Sequence, residues 1–539
     1  MPLLLALMVV LGMVIGARLN SAQLARYSSP SDRNLSNKSE PGRLEELIRY
    51  VEARYVDEVD TDEMIEKAIN NLLDELDPHS NYISASQLRE VNEVLEGNFE
   101  GIGVEFLIVE DTVMVVSPIA GGPSEAVGIL PGDKIVEIED SLIAGVGVEV
   151  RDVVELLRGD KGSKVNVGIR RGYAAEVLPF TITRDEIPDF SVDVGYMIDD
   201  KTGYIKISRF SATTYQEFME QLETLVDQHG MENLIIDLRQ NPGGYLQEAT
   251  NILSQLFTEK GKVLVYTEGR SVRRSEYETT GRPFFRIGDV SVLIDEGSAS
   301  ASEIIAGAIQ DWDRGYIIGR RSFGKGLVQE QYNLKDGSAL RLTVARYYTP
   351  SDRLIQKGYG DDRLYDEDLA KRFESGELQS RDSIAVDDTT RYYTSEGRVV
   401  YGGGGITPDI FIPIDTLLLN DDYLRLRQYL PEYVYRYYQD QQEALRAYDD
   451  LNVYQRNFRL SDRDFRAFVD YAIDKGVAFA DPSLARVDEA IRLLFKARLS
   501  RNLFGDEGFF AIWNEQDPVV QRAVKLMRQP VPLTSLRQE

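Results

Sequence analysis

The sequence predicts a multidomain α/β protein, and three observations carry that expectation. At roughly 100 to 200 residues per domain, 539 residues make about three folded units. From about Ile187 to Pro413, strand-type and helix-type runs alternate, which argues for α/β layers. Tyr204 to Ser208, Leu234 to Leu238 and Val290 to Ile294 read as strands, and Thr214 to Asp227, Leu246 to Leu256 and Ser302 to Gln310 as helices. Phe99 to about Arg184 has a different character: short β-type runs such as Val113 to Val116 and Lys164 to Arg170, broken by Gly-Gly-Pro and Pro-Gly-Asp turns.

The flanks are helical. Leu44, Leu47, Ile48, Val51 and Tyr55 share one helix face, and a second helix follows with Asp60 as N-cap and a stripe from Met64 to Leu76, stopping at Asp77-Pro78. From Asp421 to the end the pattern is again helical, with Ser461-x-x-Asp464 as an N-terminal signature and Gly476 as a stop. Gly358 to Arg398 is rich in Asp, Glu and Arg and reads as a solvated insertion. Leu3 to Ala17 is uncharged and apolar, about 22 Å long as a helix against a hydrocarbon core of about 30 Å. It is short for a span and lacks a basic stretch before it, yet the polar Ser21 to Pro41 linker favours an export signal or anchor over a buried core helix.

Composition removes several functions. Sixty-one Lys and Arg against 89 Asp and Glu leave a formal charge of −28 with no basic patch, which argues against nucleic acid as a partner. The absence of Cys excludes disulfides, a thiol nucleophile and a Cys-zinc site. Only His79 and His229 could serve a histidine-dependent catalyst. Both read as structural, His79 in a turn after a helix and His229 at a helix end where a cation suits the dipole. No metal ligands or cofactor loop are expected.

Four segments could carry chemistry. The strand Val290 to Ile294 runs through Asp-Glu-Gly-Ser-Ala-Ser-Ala-Ser into a helix, so a nucleophile there has helix N-terminal N–H groups beside it to hold an oxyanion. Ser298, Ser300 and Ser302 are the candidates. Position alone prefers Ser300 only weakly, and a Ser/Ala-rich turn with one capping serine looks much the same. With histidine a poor choice, the remaining base is a lysine made neutral by burial. Lys325, in Phe-Gly-Lys-Gly, fits, and if the following residues are extended Gln329 lies on its face and could orient the amine. Asp237 to Gly244 ends a strand in Pro-Gly-Gly, whose N–H groups could give a second oxyanion donor; it is too short and lacks the Gly-Lys-Ser/Thr ending for a phosphate loop. Phe99-Glu-Gly-Ile-Gly-Val opens the β module with a loop able to cradle a peptide carboxylate, as an ordinary β-turn also could.

Together these segments resemble the carboxyl-terminal processing, or tail-specific, serine peptidases. The resemblance spans roughly Leu44 to Pro413 and rests on seven ordered motifs: Leu76-Asp-Pro-His-Ser80, Gly101-Ile-Gly-Val104, Gly132-Asp-Lys-Ile135, Asp237 to Gly244, Gly297 to Glu303, Phe323-Gly-Lys-Gly326 with Gln329, and Gly405-Ile-Thr-Pro-Asp409. It implies Ser300 as nucleophile, Lys325 as general base and Gln329 as its orienting partner. Ala301 N–H with a Gly243 or Gly244 N–H would form the oxyanion hole. It also implies a PDZ domain, in which Gly101, Ile102, Gly103 and Val104 bind the substrate carboxylate, inserted before a crotonase/Clp-like β/α peptidase core.

The expected division is a membrane anchor or signal segment (1–17), a linker (18–42), an N-terminal helical region (43–95), the PDZ domain (96–185), the peptidase core (186–415, with the charged insertion at 358–398) and a C-terminal helical region (416–539). The expected partners are protein or peptide substrates with free C-termini, the membrane through the N-terminal segment, and a second copy of the chain. The expected place is the extracytoplasmic side of the cell envelope. The charged insertion and the long tail depart from the shorter members of the family. A non-catalytic PDZ adaptor on a degenerate peptidase scaffold is the competing reading, and a crotonase-like acyl-thioester enzyme a further one.

Overall fold

A computed structural model describes residues 42–172, 176–360, 365, 367–385, 388–480, 484 and 487–535. The apolar run Leu3 to Ala17 lies outside them. Among the described residues no helix is long and apolar enough to cross a membrane. The described residues divide into two compact units, with the boundary between Glu75 and Leu76. The first holds the helices Gly42–Arg54 and Thr61–Asp74, the second capped as expected, with Asp60 Oδ1 accepting Glu63 N–H at 3.0 Å.

The second unit is built on a six-stranded sheet in the order Val192–Met197, Thr202–Ile207, Asn233–Asp237, Val290–Ile294, Tyr316–Gly319, Ile410–Phe411. The first pair is antiparallel and every later pair parallel. Alternation along the strands sends Leu234, Ile236, Val292, Ile294 and Ile317 to one face, against the helices Thr214–Glu223, Leu246–Gln255 and Ala301–Asp311. Tyr204, Ile235, Leu293 and Ile318 go to the other face, where Val519, Val520, Ala523 and Met527 of the helix Pro518–Arg528 cover them. Burial on both faces explains why these strands are continuous apolar runs. The end of the tail thus closes the core sheet. Arg239 holds it there, pairing with Asp237 at 2.6 Å and with Asp517, the N-cap of the last helix, at 2.7 Å.

Because Asn233–Asp237, Val290–Ile294 and Tyr316–Gly319 are adjacent and parallel, the loops after their carboxyl ends emerge at one edge of the sheet. That edge is where open α/β sheets place ligands. A second sheet joins Asn81–Ile83, Lys260–Glu268, Ser275–Thr280, Leu327–Asn333 and Ala339–Tyr348, and brings Asp77 to Ser80 against the hairpin that follows Lys325.

The strands Val104–Val109, Thr112–Pro118, Lys134–Ile138, Lys164–Arg170 and Val177–Thr183, with the helix Val150–Leu157, enclose a separate core of Ile102, Val113, Val115, Ile135, Val153 and Val167. Residues 423–512 form a third core of their own, made by Tyr423, Leu426, Leu430, Phe468, Ile491 and Phe495 among others. Its helix Asp421–Asp440 docks on the β module, where Tyr435 Oη donates to Val115 O at 3.1 Å.

The charged segment does not behave as a solvated insertion throughout. Tyr365, Arg372, Glu377 and Leu378 are buried. The reason is that Glu377 and Arg372 find ionic partners inside the fold, which composition by itself does not reveal.

Candidate active site

The strand Val290–Ile294 ends in a turn that delivers Ser300 to the N-terminus of Ala301–Asp311. Ser300 has φ 53° and ψ −112°, a strained conformation for a residue with a Cβ. Its neighbours in the motif are both committed. Ser298 Oγ donates to Leu238 O at 2.8 Å and accepts Asp295 N–H at 2.9 Å, and Ser302 Oγ donates to Asn241 O at 3.0 Å. Both are fully buried, whereas Ser300 is partly exposed.

Glu303, one turn into the helix, ties the two catalytic candidates together. Its Oε2 accepts the N–H groups of Ser300 and Lys325, each at 2.8 Å. Its Oε1 accepts Gly324 N–H at 2.7 Å and Ser322 Oγ at 2.6 Å. Complete burial pushes the carboxyl up to about 7, against these four donors, which favour the ionised form. Tyr347 Oη lies within hydrogen-bond distance of the carbonyls of both Ser300 and Lys325, adding a second tie.

Lys325 Nζ donates to Gln329 Oε1 at 3.0 Å, so the expected pairing across four residues is formed where the chain enters the strand Leu327–Asn333. Gln329 is itself oriented from behind, because its Nε2 donates to the carbonyl of His79. That carbonyl is fixed by the Asp77 turn: Asp77 accepts His79 N–H and Ser80 N–H, each at 2.9 Å, Ser80 Oγ at 2.7 Å and Thr343 Oγ1 at 3.0 Å. Burial, then the nearby Arg341 charge, lowers Lys325 below the ordinary lysine value. The His79 ring hydrogen-bonds Tyr365 Oη at 2.6 Å, and burial takes it down to about 4. His79 therefore contributes its peptide carbonyl to the site.

The Asp237 to Gly244 loop lies across from Ser300. Asn241, fully buried, accepts Ala299 N–H at 3.0 Å through its carbonyl and donates Nδ2 to Ile207 O at 3.0 Å. A Cβ on Gly243 would come within 2.8 Å of Ser300 Cβ, so this backbone abuts the serine. The two glycines differ in one respect. Gly243 N–H already donates to Asn241 Oδ1 at 2.8 Å, whereas among the described residues the N–H groups of Gly244 and Ala301 meet no acceptor.

At the mouth of the β module, Gly101 ends a strand paired with Asp185–Pro188, and Gly103 takes φ 69° before Val104 starts the next strand. The loop is anchored from inside, since Ser124 Oγ donates to Ile102 O at 2.6 Å and Ile119 N–H to Gly103 O at 3.0 Å. Among the described residues the N–H groups of Ile102 and Gly103 meet no acceptor, which leaves them free for an anion.

Sequence reasoning missed Glu303 and Tyr347 as members of this site. Glu303 falls three residues after Ser300, the spacing of a helix capping pair, and that was the one signal available.

Comparison with known proteins bears on this arrangement. Residues 201–363 match the family model of peptidase family S41, and residues 101–180 that of a PDZ domain. Residues 422–505 match a family of unknown function. A carboxy-terminal-processing protease of Bartonella bacilliformis is 32% identical over 425 residues, covering 77% of this chain and 94% of its own length. The carboxy-terminal processing protease CtpB of Bacillus subtilis is 33% identical over 351 residues, covering 64% and 71%. A solved photosystem II D1 C-terminal processing protease is 29% identical and covers 58% of this chain and 83% of its own, with a TM-score of 0.32.

Proposed function

Since the chain belongs to the carboxy-terminal processing proteases of peptidase family S41, serine-type peptidases with a PDZ domain, we propose that it is an endopeptidase working through a Ser300/Lys325 dyad. Neutral Lys325 donates one N–H to Gln329 Oε1 and keeps its lone pair for the Ser300 proton. Ser300 Oγ attacks the scissile carbonyl, and the Gly244 and Ala301 N–H groups receive the developing oxyanion. The lysine returns its proton to the leaving amine, an acyl-enzyme remains, and water attacks it by the reverse sequence. Gly243 shapes the wall beside the serine, and its own N–H serves the Asn241 turn.

The observation that carries this reading is the commitment of the alternatives. Ser298 and Ser302 spend their hydroxyl protons on backbone carbonyls, while Ser300 and Lys325 are held by their N–H groups on a single carboxylate, and the Ser300 hydroxyl enters the helix cap only as an acceptor of the Glu303 N–H.

The Gly101 to Val104 loop receives the substrate C-terminus, with the peptide adding along Val104–Val109, a strand paired on one side only. The substrates are proteins with free, apolar C-termini on the extracytoplasmic side of the cell envelope, and the apolar Leu3 to Ala17 run supports an N-terminal anchor or export signal there. The test is cleavage of an unstructured protein with an apolar C-terminus by wild type, Ser300→Ala and Lys325→Ala. Both variants are expected to fold and lose turnover. Normal turnover by Ser300→Ala overturns the mechanism, and an inactive wild type that still binds the C-terminus favours the adaptor reading.

A further inference from the structure

The segment after residue 363 lies beyond the part of the chain that matches the peptidase family model, yet it is wired into the loop that carries Lys325. The helix Asp368–Glu374 ends at Gly376, whose φ of 80° turns the chain back so that Glu377 N–H donates to Arg372 O at 2.9 Å. This stop places Arg372 and Glu377 side by side, 4% and 3% exposed. Glu377 grips Arg321 with both oxygens at 2.7 Å and also accepts Arg372 Nε at 2.8 Å. Arg372 then donates onward to two carbonyls of the catalytic loop, Arg321 O at 2.6 Å and Ser322 O at 3.1 Å.

Ser322 is the residue whose hydroxyl meets Glu303, and Glu303 holds the Lys325 N–H. A second branch leads to the same place. Lys357 N–H donates to Gly324 O at 3.0 Å, and its Nζ sits 3.9 Å and 4.0 Å from the ring centres of Phe323 and Tyr365 while bonding Asp368 at 3.1 Å. Tyr365 Oη reaches His79, whose carbonyl orients Gln329.

We infer that Arg372 and Glu377 are positioning residues for the general base: the charged segment clamps the Arg321 to Lys325 loop on Glu303 and so sets the place of the Lys325 amine. The inference rests on Lys325 being that base. Two guanidinium groups and one carboxylate, buried and bonded to backbone carbonyls, specify one loop geometry, since any other leaves a buried charge without its partners.

The experiment uses the full chain, the same unstructured protein substrate, and four variants: Glu377→Gln, Arg372→Lys, the exposed control Glu374→Gln, and Lys325→Ala. Arg372→Lys keeps the charge but cannot span Glu377 and two carbonyls, so it retains the fold better and decides the matter if Glu377→Gln fails to fold. The expected result is a kcat lower by about tenfold or more in Glu377→Gln and Arg372→Lys, with KM within about threefold. The acid limb of the rate profile should move to higher pH, because a loosened Lys325 is better hydrated. Glu374→Gln should match wild type. A folded Arg372→Lys with wild-type kcat and acid limb overturns the inference. So does a loss of rate that only follows the folded fraction, with the acid limb unmoved. If Lys325→Ala is inactive while Arg372→Lys is normal, the clamp alone falls. If Lys325→Ala stays active, the base assignment falls and the clamp with it.

Discussion

Glu303 accepts the Ser300 N–H at 2.8 Å on the same oxygen that accepts the Lys325 N–H, so one buried carboxylate fixes both partners of the proposed dyad. In Glu303→Gln, whichever oxygen becomes an amide NH2 confronts two of the four donors. The expected outcome is a kcat lower by about tenfold to 100-fold with little change in KM. Its pH linkage has a definite sign. Folding raises this acid from the ordinary 4.5 to about 7, so the folded state holds the proton more tightly, and stability from this group falls as pH rises from about 4.5 to about 7. Denaturation curves at pH 5 and 7.5 should show that component in wild type and its loss in Glu303→Gln.

Gln329 supplies a neutral oxygen to the amine, and that neutrality matters. A carboxylate in its place would favour the ammonium, undoing the lowering that burial and Arg341 produce. Gln329→Glu should therefore shift the acid limb of kcat/KM upward by about one pH unit or more. Activity would recover partly at alkaline pH. A pH series from 6 to 10 on wild type and variant checks this.

Arg239 joins the core sheet to the terminal helix through Asp237 and Asp517. Asp237 is 1% exposed, and the charges of Arg239 and Lys206 hold it well below the usual carboxylate range despite its burial. Arg239→Met should cost about 3 kcal/mol or more, since it leaves a buried charge with one fewer partner. The folded pKa is depressed, so the Asp237 contribution is present above about pH 4 and lost as pH falls. Urea denaturation at pH 7 measures the loss, and the wild-type excess over the variant should shrink under acid.

Gly103 takes φ 69°, where a side chain is strained, and a Cβ would meet Ile187 Cδ1 at 3.0 Å. Gly103→Ala should tilt the loop that carries the Ile102 and Gly103 N–H groups, raising KM for a protein substrate about fivefold or more while kcat stays within about twofold. Titration of a C-terminal peptide onto Ser300→Ala, with and without Gly103→Ala, isolates the binding step. The Gly101 to Val104 reading fails if both bind equally.

Much of the fold was legible because local physics writes it. Buried parallel strands must be apolar on both faces, so Leu234 to Leu238 and Val290 to Ile294 stand out, and Pro78, Gly476 and Asp60 punctuate helices through backbone constraints that a few residues express. Lys325 and Gln329 were expected to share a face, and they meet, with Lys325 itself just ahead of the strand Leu327–Asn333. The coverage of the sheet by Pro518–Arg528 was not legible, since an amphipathic stripe states that a face is buried and not against what.

The sequence by itself determined the chemistry available: no thiol, two histidines better suited to turns, one Gly-Lys-Gly, and a serine-rich strand-to-helix turn. It left three serines and two glycines open. Only the tertiary structure shows which of their groups are already engaged, because the acceptors, Leu238 O for Ser298 and Asn241 O for Ser302, lie on a loop some 60 residues away that the parallel sheet brings alongside. The same holds for Glu377, which meets Arg321 across 56 residues of chain. A hydrogen bond between distant loops leaves no spacing in the sequence, because its distance is set by the sheet that carries both ends.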